Sequence, residues 1–143
     1  MEDDGMKHLK KSKIITCILT AVLLCFFMTA CGKEDTLETL MSSDSARDKI
    51  SGVRESILSQ NSDIYSDYSM TVSGNDITYN YYYLPEFSDE TLNKIKDSLK
   101  ETDWSSTINN VKDEIEQTSS IRPASVTFAY YSADKKELFS IKE

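Results

Sequence analysis

A single histidine, His8, occurs in the 143 residues, and it stands in a lysine-bearing segment ahead of the first apolar run. Downstream of it no Ser-His or Cys-His pair can form, and no imidazole is available to a metal. Cysteine is nearly as scarce. Cys17 and Cys25 lie inside the apolar run and Cys31 directly after it. Once that run is removed, Cys31 is the only thiol left, which excludes an intrachain disulfide and a cysteine-type zinc site. Four glycines and two prolines leave no low-complexity stalk. No glycine-rich phosphate loop and no Asp-x-Asp-x-Asp-Gly calcium loop appears. The sequence therefore assigns no catalytic residue, no metal and no cofactor.

What is present begins with the three parts of an export signal. Lys7, Lys10, Lys11 and Lys13 form a basic head, and Ile14 to Met28 is uncharged throughout. That stretch is shorter than the roughly twenty residues a spanning helix needs. Small Thr29 and Ala30 then precede Cys31, as a peptidase with a narrow pocket requires. Glu2, Asp3 and Asp4 sit poorly in a basic head, so translation starting at Met1 or at Met6 stays open.

Met28-Thr29-Ala30-Cys31 resembles the lipobox of bacterial prolipoproteins, with Met where Leu is commoner. The resemblance implies cleavage by signal peptidase II between Ala30 and Cys31, and a diacylglyceryl group, of palmitate type, on the Cys31 thiol. Each buried methylene contributes about 0.8 kcal/mol, so two chains anchor where one is marginal. Whether the Cys31 amine is also acylated stays open. The competing reading is a plain signal anchor with an incidental cysteine; the short run ending in small residues argues against it. Residues 1–30 are thus expected to be a signal peptide and 31–36 a lipidated cysteine with a short linker. Residues 37–143 are expected to form one extracytoplasmic domain riding close to the outer face of the cell membrane.

From Cys31 onward 12 basic residues face 21 acidic ones, a net charge of −9. No basic footprint for nucleic acid or anionic headgroups exists. Leu37, Leu40 and Met41, then Ile50, Val53, Ile57 and Leu58, recur at helical spacing up to Asn61, with Gly52 as the weak point between one helix and two. Tyr68 to Val72 and Ile77 to Leu84 alternate around Ser73-Gly74-Asn75-Asp76 and predict a hairpin. Ser88 caps a helix carrying Leu92, Ile95 and Leu99; beyond a break at Trp104, a second carries Ile108, Val111 and Ile115. Val126 to Tyr131 and Leu138 to Ile141 predict a closing hairpin. The fold class is α+β: N-terminal helix, β-hairpin, two helices and β-hairpin, as a small antiparallel sheet packed on helices.

Ile77-Thr78-Tyr79-Asn80-Tyr81-Tyr82 echoes Val126-Thr127-Phe128-Ala129-Tyr130-Tyr131. Two explanations stay open, a helix–hairpin duplication and the ordinary likeness of aromatic strands. The chain from Cys31 is also similar to an uncharacterised domain family of small lipoproteins from low-GC Gram-positive bacteria. That likeness lies in the lipobox, the Tyr-rich hairpin after a first helix, the segment Asp89-Glu90-Thr91-Leu92 and the closing aromatic hairpin. It implies an α+β domain outside the membrane and carries no activity.

Carboxylates cluster at Asp89-Glu90, at Asp113-Glu114 with Glu116, and at Asp63 with Asp67. A hydrolase built on carboxylates alone would need two of them converging in a pocket; solvated helix surface is the simpler account. All eight tyrosines lie between Tyr65 and Tyr131. Alternation puts Tyr79, Tyr81 and Tyr83 on one face with Ile77, and Tyr82 on the other, where Tyr82 and Tyr131 are candidates for a binding face. The alternative is a sheet held by aromatic cross-strand pairs with hydroxyls at its edge. The expected function is binding at the cell envelope, to a protein partner or, alternatively, to a small ligand or carbohydrate.

Overall fold

Short polar side chains open every described helix. The computed structural model describes residues 36–143, so Ala30, Cys31 and the proposed signal peptide lie outside the described residues. Thr36, Ser43, Ser88 and Asp103 each accept, on a side-chain oxygen, the backbone N–H three residues on. Behind these caps run α1 (Leu37–Met41), α2 (Asp44–Gln60), α3 (Asp89–Lys100) and α4 (Trp104–Ser119). The first two helices break at Ser42 and not at Gly52, because Ser43 offers a cap there, whereas Gly52 stays helical at modest cost.

Four strands complete the α+β fold: β1 (Tyr65–Ser73), β2 (Asp76–Tyr83), β3 (Ser125–Tyr131) and β4 (Glu137–Lys142), side by side in that order. Both hairpins are antiparallel, but β2 and β3 run parallel. The sheet is therefore mixed, against the expected all-antiparallel arrangement. The physical reason is the connection: α3 and α4 return the chain to the end of the sheet where β2 began, and a crossover of that length permits parallel pairing.

The internal echo takes its meaning from this pairing. Ile77 lies beside Val126, Thr78 beside Thr127, Tyr79 beside Phe128, Asn80 beside Ala129, Tyr81 beside Tyr130 and Tyr82 beside Tyr131. The echo matches the second strand of one hairpin to the first strand of the other. A tandem helix–hairpin duplication would match first to first and second to second. Like residues sit together because parallel neighbours share rows on both faces.

One face of the sheet meets the helices. Ile77, Tyr79, Tyr81, Tyr83, Val126, Phe128 and Tyr130 join the buried residues of all four helices in a single core. The hydroxyl oxygens of Tyr65, Tyr68, Tyr79, Tyr81, Tyr83 and Tyr130 are closed off from solvent, not set at the sheet edge. Trp104 seals the α3–α4 corner. Its indole N–H donates to the Leu99 carbonyl at 2.7 Å, and its ring lies 5.3 Å from Phe128 and 5.8 Å from Phe139.

The β1–β2 turn holds the start of the domain. Gly74, at φ 59°, occupies the first central position of a two-residue hairpin turn, where a type II′ turn places glycine. Glu38 N–H donates to the Gly74 carbonyl at 2.9 Å, Gly74 N–H donates to Glu38 Oε2 at 2.7 Å, and Leu37 N–H donates to Asn75 Oδ1 at 2.9 Å. Open space surrounds both described glycines, so their substitutions read backbone terms alone. Gly74→Ala is expected to cost about 1–2 kcal/mol for an L-residue at positive φ. Gly52→Ala, in a helix interior, should instead gain about 0.5–1 kcal/mol. Urea melts of the two variants should move in opposite directions.

Candidate functional site: the outer sheet face

The second face of the sheet carries no described helix, and strand register lays its side chains out in rows. Asp67, Tyr82, Tyr131 and Glu137 make the first row, Ser69, Asn80, Ala129 and Ser140 the next, and Thr71, Thr78, Thr127 and Lys142 the third. Ser73, Asp76 and Ser125 finish it beside the β1–β2 turn. The two middle rows hold hydroxyls and one amide, with Lys142 at the border as their only charge. Asn80 Nδ2 donates to Ser69 Oγ at 3.3 Å, and Ser125 Oγ donates to the Asp76 carboxylate. Ala129, although on this face, is 2% exposed, because larger neighbours close over its methyl.

Tyr82 and Tyr131 are brought together. Both are half-buried, with ring centroids 5.0 Å apart and planes 18° from parallel. Each ring turns one face to the other. Burial, then the Glu137 carboxylate, then Tyr82 hold the Tyr131 phenol above its ordinary value of 10.0, since each disfavours a phenolate. Glu137→Gln removes the second cause and should lower the titration point of Tyr131 without returning it to 10.0. Carbon-13 NMR of labelled tyrosine reads this directly. The sign for stability follows: a raised phenol favours the folded state less as pH climbs past about 10, where the unfolded chain ionises first.

Arg54 forms an edge contact that the sequence did not make legible. It reaches from α2 around the β1 edge, donating to Asp67 Oδ1 at 2.7 Å and to the Tyr68 carbonyl at 3.2 Å. Asp67 in turn accepts the Tyr68 N–H at 2.7 Å. This clamp occupies both outward backbone groups of Tyr68 and blunts that end of the edge strand. The sequence signal was faint, an Arg thirteen residues before an Asp on another element.

Four of the clustered carboxylates, Asp67, Glu90, Asp113 and Glu116, form surface ion pairs. Glu90 pairs with Lys94 at 2.6 Å, and Asp113 and Glu116 share Arg122 at 2.7 Å each. All these side chains are about half exposed or more, and neither Asp113 nor Glu116 lies in the apolar enclosure a general acid occupies. Among the described residues no group of three His, Cys, Asp or Glu is placed to hold a metal. No described helix is long and apolar enough to cross a membrane.

Fold and face together define a small α+β domain with one helix-covered and one bare sheet surface. Residues 37–142 match the model of a family described as a domain of unknown function, DUF4854, and the chain belongs to that family. Comparison with curated proteins and with solved structures gives no match.

Proposed function

We propose that the chain is a lipid-anchored extracytoplasmic lipoprotein of a Gram-positive cell, held at Cys31, whose outer sheet face binds another protein of the cell envelope. The observation that carries the binding half is the Tyr82–Tyr131 pair on a sheet face that no described helix covers. Tyrosines supply large amphipathic contact area at low entropic cost, which suits a protein interface. Rows whose one charge is Lys142, bordered by Asp67, Asp76 and Glu137 on a segment from Cys31 onward of net charge −9, favour a neutral or basic partner surface over an anionic one.

The test uses a photo-crosslinker placed at Asn80 on the outer face or at Lys112 on α4. The Asn80 position should capture a discrete partner and the Lys112 position should not. Binding of that partner, once purified, should fall more than tenfold in Tyr131→Ala, while its urea melt shifts by about 1 kcal/mol or less. Capture from both positions alike, or unchanged binding by the Tyr131 variant, would refute the face.

A further inference from the structure

The mature chain would leave its lipid through only a few residues before it meets a fixed point. Leu37 is fully buried, and the N-terminus of α1 is bonded to the β1–β2 turn through Leu37 to Asn75 and through both Glu38 to Gly74 contacts. Whatever lies upstream of Thr36 therefore joins the domain at one tip of the sheet. The Tyr82–Tyr131 pair lies at the other end. Asp76 stands next to the turn and Tyr82 six residues further along the same strand, about 20 Å away at strand rise.

We propose that the anchored domain stands on its β1–β2 turn, which faces the bilayer, and presents the Tyr82–Tyr131 row outward to a partner on the side away from the membrane. This orientation rests on lipidation at Cys31. From Cys31 to Leu37 the chain spans six residues, at most about 20 Å when fully stretched. An inverted domain, tyrosines down, would lift Leu37 at least that far and draw the linker taut. An upright domain leaves it slack, and chain entropy favours slack. Charge does not reverse the choice. Glu38, Asp76 and the terminal Glu143 gather at the turn end, where Glu143 pairs with Val126. Their repulsion from an anionic surface is screened within about 8 Å, inside the reach of the linker. At the far end Lys135 and Lys136 are offset by Asp134 and Glu137 in the same segment.

The full lipidated protein tests this in phosphatidylcholine vesicles, with and without phosphatidylglycerol, that carry nitroxide-labelled headgroups. Thioether-linked Cys31 leaves no free thiol in the mature chain, so one new cysteine takes one fluorophore. Ser73→Cys marks the turn end, Ala133→Cys marks the far end, and both positions are exposed; Thr39→Cys replaces Ser73→Cys should that variant fold poorly. Quenching at Ser73→Cys or Thr39→Cys should exceed that at Ala133→Cys several-fold. Inserting about twenty Gly/Ser residues before Thr36 should abolish the difference, since such an insert alone reaches about 22–27 Å on average. Protein that floats with vesicles but shows equal or reversed quenching overturns the orientation alone. Protein that fails to float overturns the anchor and the orientation with it.

Discussion

Tyr81→Ala is expected to destabilise the domain by about 4 kcal/mol, the cost of removing a large aromatic from a filled core. Tyr81 is 1% exposed and sits at the centre of the sheet, where its ring meets Tyr68 at 5.1 Å, Tyr65 at 5.3 Å and Tyr130 at 5.0 Å. Truncation empties a space walled by three other rings that are themselves anchored on the two flanking strands, β1 and β3. Those walls cannot collapse without bending the sheet, so the cavity term stays large. Tyr82→Ala, one residue on, makes the contrast. Its ring faces outward, is half-buried and stacks only on Tyr131 among the described rings, so about 1 kcal/mol or less is expected. For a domain whose whole stability is on the order of 5–15 kcal/mol, the first variant should melt at far lower urea than the second. A greater loss at Tyr82 than at Tyr81 would overturn the assignment of faces.

Parity made this much legible from sequence. Alternation through Ile77, Tyr79, Tyr81 and Tyr83 is a local property of an extended chain, and the inward residues of β2 follow from it. The same holds for the cap at Ser88, the helix stop at Asn61 and the stripe of α3, all fixed by neighbours within a few residues. The direction of β3 beside β2 is of another kind. It depends on how two helices carry the chain back, which no short window encodes. The echo between Ile77–Tyr82 and Val126–Tyr131 was the usable signal, since segments that pair parallel and in register place like beside like. It was legible as similarity and not as adjacency. The Arg54 clamp and the docking of Glu38 and Leu37 onto the β1–β2 turn were hidden for the same reason, being contacts between elements far apart in the chain. Tyr82 and Tyr131 could be set on one face by pattern alone; their stacking required knowing that the two strands are neighbours.

Cys31→Ala is expected to abolish lipidation and processing altogether, an all-or-none effect where most substitutions give a graded one. The reason lies in the count of thiols. Cys17 and Cys25 fall within the segment proposed to be removed, so Cys31 is the one thiol that can carry a lipid on the mature chain. Without it no acyl chain is attached, and a peptidase that requires the lipidated cysteine has no substrate. Fatty-acid labelling should vanish, and the uncut precursor should accumulate. The domain itself should not notice. Its described core begins at Leu37, and with no cysteine among them, residues 33–143 should fold in a reducing cytoplasm and melt in one cooperative step. The two measurements separate anchoring from folding. Fatty-acid label persisting on the Cys31→Ala protein would overturn the anchor and leave the fold untouched. A random-coil spectrum for residues 33–143 would do the reverse, overturning the assignment of a self-sufficient core.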